Sequence, residues 1–171
     1  MKSLILGGVR SGKTRYAEQQ AIASARPVTV VATALALDAE MSARIARHQA
    51  DRPAHWAVVE EPLALEACLR RLDGPDRVIV VDCLTLWLTQ LLEAGEARLE
   101  HETRALVAAL PDLRADLLLV SNETGLGIMP LGELTRRFGD VAGRLHQALA
   151  ARVDRVVLMV AGLPLTVKGQ P

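Results

Sequence analysis

The chain has 171 residues, half of them apolar and 23% charged, with 20 basic against 20 acidic side chains and a formal net charge of zero. That length fits one domain with a substantial core, and the even charge balance gives no global electrostatic ground for binding nucleic acid or an anionic membrane. The longest apolar segment, VIVVDCLTLWLTQLL, is interrupted by Asp82 and falls short of the roughly 18 residues that a membrane span needs.

Taken in order, SLILGG is a short apolar run ended by glycines and reads as a buried strand. Its apolar stretch is too short for a signal peptide. KTRYAEQQAIAS has helical composition, and PVTVVAT is β-branched and reads as a second strand. Asp38 to about Asp51 reads as a helix with Asp38 as a cap. HWAVVE is a short strand, and PLALEACLRRL reads as a helix with Pro62 at its first position. The turn DGPD leads into RVIVVD, the cleanest strand of the chain. Helices are expected around Leu84–Leu92 and Ala97–Leu110, followed by the strand DLLLVSNE and a glycine-rich loop, TGLGIMP.

Leu131, Leu134, Phe138, Val141, Leu145 and Leu149 recur at steps of three and four, predicting a helix over Leu131–Arg152. Its opposite face carries Glu133, Arg136, Asp140, Arg144 and Gln147. The strand RVVLMVAG and a final LTVKG, suited to an antiparallel edge strand, close the chain. Strands alternating with helices, most of them continuous apolar runs, predict one α/β domain: a mostly parallel sheet covered by helices on both faces, of the P-loop NTPase kind. Cys68 and Cys83 make neither a close-spaced pair nor a zinc pattern. They read as small buried residues in a reducing, cytoplasmic setting.

Only Lys2, Lys13 and Lys168 are lysines, and one of them stands in a glycine-rich loop. GGVRSGKT, the run Gly7, Gly8, Val9, Arg10, Ser11, Gly12, Lys13 and Thr14, matches G-x-x-x-x-G-K-[ST] with a strand before it and a helix after it. Glycine lets the backbone turn tightly enough to wrap N–H groups around phosphate oxygens. Lys13 can reach the β- and γ-phosphates, and Thr14 can hold Mg2+. A second carboxylate is then needed for the metal. Asp82, closing RVIVVD, fits that position, although it could instead cap the helix that follows. Glu123 also follows a strand and could face the nucleotide, since ligands gather at the carboxyl ends of parallel strands. It could equally be a loop carboxylate accepting backbone N–H groups. Arg52 and Glu60 complete the candidate nucleotide-binding set.

The segment MSARIARHQADRPAHW concentrates arginines around His48. At about 100° per residue, Met41, Ile45, His48 and Arg52 share one narrow sector, which puts His48 at the edge of the apolar stripe. The residues alone leave its role open. His55, His101 and His146 attract no functional reading, and Trp56 reads as a packing residue.

GGVRSGKTRYAE, RIARHQADRPAHW, VDCLTLWLTQLL, VSNETGLGIMP, GDVAGRLHQALA and GLPLTVKG occur in this order. Together they resemble the bifunctional adenosylcobinamide kinase / adenosylcobinamide-phosphate guanylyltransferase family of cobalamin biosynthesis. The resemblance spans about Gly7 to Lys168, and its most specific parts are H-x-x-x-R-P and N-E-x-G-x-G-I-x-P. It implies phosphorylation of the aminopropanol hydroxyl of adenosylcobinamide, with ATP or GTP as phosphate donor and Mg2+ as cofactor. It then implies transfer of GMP from GTP to adenosylcobinamide phosphate by way of a histidine. That catalytic histidine would be His48, followed by Arg52 and Pro53. A homo-oligomer, a trimer, is also implied. The chain departs from the family at His146-Gln147, where Asn-Gln is frequent, and at Gly139-Asp140, where an Arg-Asp pair is common. The simpler alternative is a P-loop small-molecule kinase without guanylyl transfer.

Overall fold

The computed structural model describes residues 1–35 and 52–170. In chain order its elements are β1 (Lys2–Gly7), α1 (Lys13–Ala23), β2 (Val28–Ala32), β3 (Ala57–Glu60), α2 (Leu65–Leu72), β4 (Val78–Asp82), α3 (Leu84–Ala94), α4 (Glu96–Ala109), β5 (Asp116–Asn122), α5 (Glu133–Arg152), β6 (Arg155–Val160) and β7 (Leu163–Lys168). The helix expected over Asp38–Asp51 lies outside the described residues.

The strands form one sheet in the order β3-β2-β4-β5-β1-β6-β7. Every neighbouring pair is parallel except β6 with β7, which is antiparallel. The expected mostly parallel sheet with an antiparallel edge strand is thus what the chain forms. Successive side chains leave a strand on opposite faces, and both faces here are buried. On one side Leu4, Val31, Ile79, Val81, Leu117 and Leu119 pack against α2, α3, α4 and α5. On the other, Ile5, Val30, Val80 and Val120 pack against Tyr16, Ala17 and Ala21 of α1. Trp56 is buried in this second cluster, as expected of a packing residue. Trp87 is fully buried in the first, and its indole N–H donates to the Leu63 carbonyl at 2.8 Å.

Two helix starts fall later than the sequence suggests. α2 begins at Leu65, not at Pro62, because Glu61 Oε1 accepts the N–H groups of Leu63 at 3.1 Å and Ala64 at 2.7 Å. Those bonds hold the intervening residues in a turn. α5 begins at Glu133, preceded by Gly132 in extended conformation. The first members of its apolar stripe stay uncovered, with Leu131 97% and Leu134 68% exposed. Burial starts with Phe138, which packs on the core, and continues through Val141, Leu145 and Leu149.

Candidate active site

Because β1, β2, β3, β4 and β5 are mutually parallel, their carboxyl ends share one edge of the sheet. That edge collects Gly7, Thr33, Glu60, Asp82 and Glu123. The phosphate loop runs from the end of β1 into α1, and its conformation explains both motif glycines. Gly7 has φ +154°, and a Cβ there would lie 2.5 Å from Ser11 Oγ and 2.7 Å from the Met159 carbonyl oxygen. Gly12 is left-handed at φ +94°, with the Cα of Gly162 close by. Gly8 has open space around it and needs no such argument.

The loop closes on itself through Ser11 N–H donating to the Gly8 carbonyl at 3.3 Å. Gly162 N–H donates to the Ser11 carbonyl at 3.0 Å, tying the loop to the β6–β7 turn. Lys13 is buried and donates Nζ to the Gly8 carbonyl at 2.6 Å. Ser11 Oγ is buried without a hydrogen-bond partner among the described residues. Gly8, Val9 and Arg10 face solvent. A phosphate oxygen entering this cradle would meet a hydroxyl, a buried ammonium and the N-terminus of α1, all of which suit an anion.

Asp82 does not cap the helix after it. Cys83 occupies the cap position of α3 without a side-chain bond, and the Asp82 carboxylate divides between two partners. Oδ1 faces Thr14 Oγ1 at 3.5 Å, and Oδ2 accepts from Arg52 Nη2 at 2.8 Å. Arg52 Nε donates to Glu18 Oε1 at 3.2 Å, and its side chain is only 7% exposed. A buried guanidinium needs such carboxylates, since an unpaired charge out of water is costly. Behind Asp82, Thr33 Oγ1 donates to the Cys83 carbonyl at 2.7 Å and accepts the Cys83 N–H at 3.1 Å, fixing the chain where β4 turns into α3. Burial, with Asp82 beside it, pushes the Cys83 thiol above its usual range. It is therefore a poor nucleophile.

Glu123 reaches the loop through its backbone, its N–H donating to the Gly7 carbonyl at 2.9 Å. Its carboxylate accepts the Gly125 N–H at 2.6 Å, the loop-carboxylate arrangement. Glu60 is exposed at the end of β3. Ala32 of β2 pairs with both Glu60 and Asp82, so two strand spacings, about 10 Å of backbone, separate the two carboxylates. The fold brings together Lys13, Thr14, Asp82 and Arg52, leaves Glu60 at the margin, and His48 lies outside the described residues.

Glu18 and Thr33 went unnoticed in the sequence. Glu18 follows Thr14 by four positions and so shares its helix face, a signal that was available. Thr33 ends a strand beside Asp82, where the carboxyl-end rule also applies. On the other side of β5, buried His146 Nε2 lies 2.8 Å from Ser121 Oγ, and Thr85 Oγ1 accepts the Asn122 N–H at 2.8 Å. Burial lowers the His146 pKa, opposed by the charge of Glu123.

Among the described residues no group of three or more His, Cys, Asp or Glu side chains could hold a metal by itself. A hydroxyl and one carboxylate oxygen facing each other beside a phosphate loop are, however, hard donors of the kind Mg2+ takes when phosphates and water complete its shell. The donors present fit that ion.

Comparisons with known proteins bear on the family and the fold. The family model described as cobinamide kinase / cobinamide phosphate guanyltransferase matches residues 3–167. A Pseudomonas aeruginosa protein named bifunctional adenosylcobalamin biosynthesis protein CobP is 56% identical, with 100% of this chain and 99% of that protein covered. Proteins named bifunctional adenosylcobalamin biosynthesis protein CobU are 39% identical in Salmonella typhimurium, over 98% of this chain and 100% of that one, and 37% identical in Escherichia coli, with the same coverage. Among solved structures, a Pyrococcus horikoshii OT3 protein from a structural study with project ID PH0250 superposes with TM-score 0.59 at 10% identity, covering 99% of this chain and 87% of that one. The RadB recombinase superposes with TM-score 0.50 at 15% identity, covering 92% and 73%. These two likenesses show the fold.

Proposed function

The chain belongs to the cobinamide kinase / cobinamide phosphate guanyltransferase family of cobalamin-biosynthesis enzymes, and from that premise we propose that it performs both reactions around one phosphate loop. In the first, the aminopropanol hydroxyl of adenosylcobinamide attacks the γ-phosphorus of ATP or GTP. The new O–P bond replaces the bond to the β-phosphate, the nucleoside diphosphate leaves, and the hydroxyl proton passes to solvent. In the second, a neutral nitrogen of His48 attacks the α-phosphorus of GTP and pyrophosphate leaves. A phosphate oxygen of adenosylcobinamide phosphate then displaces the histidine, giving adenosylcobinamide-GDP. Splitting the transfer in two lowers each barrier.

Lys13 and the loop N–H groups would hold the phosphates. Thr14 and Asp82 would hold Mg2+, whose positive charge offsets that of the phosphates when it is bound. The observation that carries the reading is Arg52. It belongs to the H-x-x-x-R-P segment, yet it packs 2.8 Å from the carboxylate that faces Thr14. His48 stands four positions before Arg52 in the same segment, which supports giving it a role at this site. The aliphatic surface left bare by Leu126, Ile128, Leu131 and Leu134, and along β7 by Leu163, Leu165 and Val167, supports a homo-oligomer; the resemblance implies a trimer, and the cysteine usage a cytoplasmic setting. Among the described residues no helix is long and apolar enough to cross a membrane.

The test supplies adenosylcobinamide with labelled ATP or GTP, then with GTP, and separates the products. Wild type should make the phosphate and then the GDP conjugate, and Lys13→Ala should make neither. A Lys13→Ala protein that kept either reaction at full rate would rule out the shared loop. Production of the phosphate alone by wild type would leave the simple kinase.

A further inference from the structure

We propose that Glu18 is a positioning residue that keeps one oxygen of Asp82 available to the metal by holding Arg52. The inference rests on the reading of Thr14 and Asp82 as the Mg2+ donors. Asp82 presents Oδ1 toward Thr14 and gives only Oδ2 to Arg52. Guanidinium and carboxylate ordinarily prefer the bidentate fork, with two parallel N–H···O bonds. Here that fork is not formed, and the geometry supplies a reason. Glu18 Oε1 takes Arg52 Nε at 3.2 Å and so occupies the Nε edge of the guanidinium, and Nη2 is the nitrogen that donates to Asp82. Both carboxylates are largely buried, as is Arg52, so water competes weakly for any of the three.

Remove the Glu18 charge, and Asp82 becomes the carboxylate left in this triad for a buried cation. Arg52 is then drawn into the bidentate pair, which claims Oδ1 and turns it from Thr14. Glu18 would thus act on the metal through two intermediaries. It would also join the helix of the phosphate loop to the H-x-x-x-R-P segment, 34 positions away. Partners beyond the direct ligands of a metal typically change its affinity by about 10- to 100-fold.

The test measures the affinity of the full-length protein for fluorescently labelled GTP, in excess MgCl2 and in EDTA. For Glu18→Gln we expect the affinity in MgCl2 to fall by about 10-fold or more while that in EDTA stays within about twofold. Glu18→Asp, which keeps the charge, should recover most of the loss. The decisive arm is a cycle with Arg52→Gln. Because the effect runs through Arg52, Glu18→Gln should add less than about twofold to the metal-dependent affinity in that background. Equal losses with and without metal would show a merely structural role and overturn the proposal. So would additivity with Arg52→Gln, or an unchanged Glu18→Gln. If wild-type affinity is itself independent of Mg2+, the metal reading of Thr14 and Asp82 fails, and the role of Glu18 falls with it.

Discussion

Substituting Gly7 by alanine tests whether the phosphate loop is as tightly determined as its geometry implies. The added Cβ would sit 2.7 Å from the Met159 carbonyl oxygen and 2.5 Å from Ser11 Oγ, whereas ordinary contacts begin near 3.4 Å. Ser11 Oγ can relieve part of this by rotation. Met159 cannot, because its carbonyl belongs to β6, and Gly7 and Met159 are paired in the sheet. The loop or the end of β6 must therefore retreat by more than half an ångström, in a backbone already at φ +154°.

Overpacking of this kind costs about 1–3 kcal/mol. The displaced Gly7 carbonyl also strains the bond from Glu123 N–H. A misplacement approaching 1 Å at a reaction centre is worth roughly 100-fold in rate. Urea unfolding should show a lower midpoint with an unchanged slope, and nucleotide titration should show weaker binding. Gly8→Ala, with nothing near its Cβ, should unfold like wild type. A Gly7→Ala protein with wild-type midpoint and nucleotide affinity would refute the reasoning.

Two further substitutions probe the packing around the site. His146 has a lowered pKa in the fold, so the unfolded chain takes up its proton first as pH falls. His146 therefore contributes stability above about pH 6.5 that is progressively lost below it. The loss of melting temperature between pH 7.5 and 5.5 should shrink in His146→Gln, whose amide falls near the place of the Nε2 that meets Ser121, and equal slopes for the two proteins would contradict this. Trp87→Phe removes the indole donor to the Leu63 carbonyl, which keeps the Leu65 N–H, and should lower unfolding free energy by about 0.5–1.5 kcal/mol, measured in urea. No change would mean that water replaces the donor.

The sheet was legible because its strands, buried on both faces, are mostly continuous apolar runs, with glycines or aspartates near several ends. The phosphate loop was legible because G-x-x-x-x-G-K-[ST] fixes both residue types and spacing. Asp82 was legible as a position but not as a role. Cap and metal carboxylate look alike in sequence, and the contacts to Thr14 and Arg52 show that Asp82 is not the cap. The start of α2 was misplaced because a side chain, Glu61, takes two backbone N–H groups that a pattern of apolar residues does not register. The start of α5 was misplaced for the opposite reason. Leu131 and Leu134 continue the period of the stripe, yet they are left uncovered in the single chain. Glu18 shares the Thr14 face of its helix, but its partner Arg52 lies 34 positions away, and only the folded contact joins the two.

In the proposed mechanism the histidine of H-x-x-x-R-P carries GMP at the site built by the phosphate loop. Incubation with GTP labelled at the α-phosphate and Mg2+, followed by denaturation, tests it most directly. The label should stay on the protein, be lost in acid, survive base and be absent from His48→Asn. A wild-type protein that converts adenosylcobinamide phosphate to the GDP conjugate without ever carrying the label, or a His48→Asn variant labelled as strongly as wild type, would contradict it.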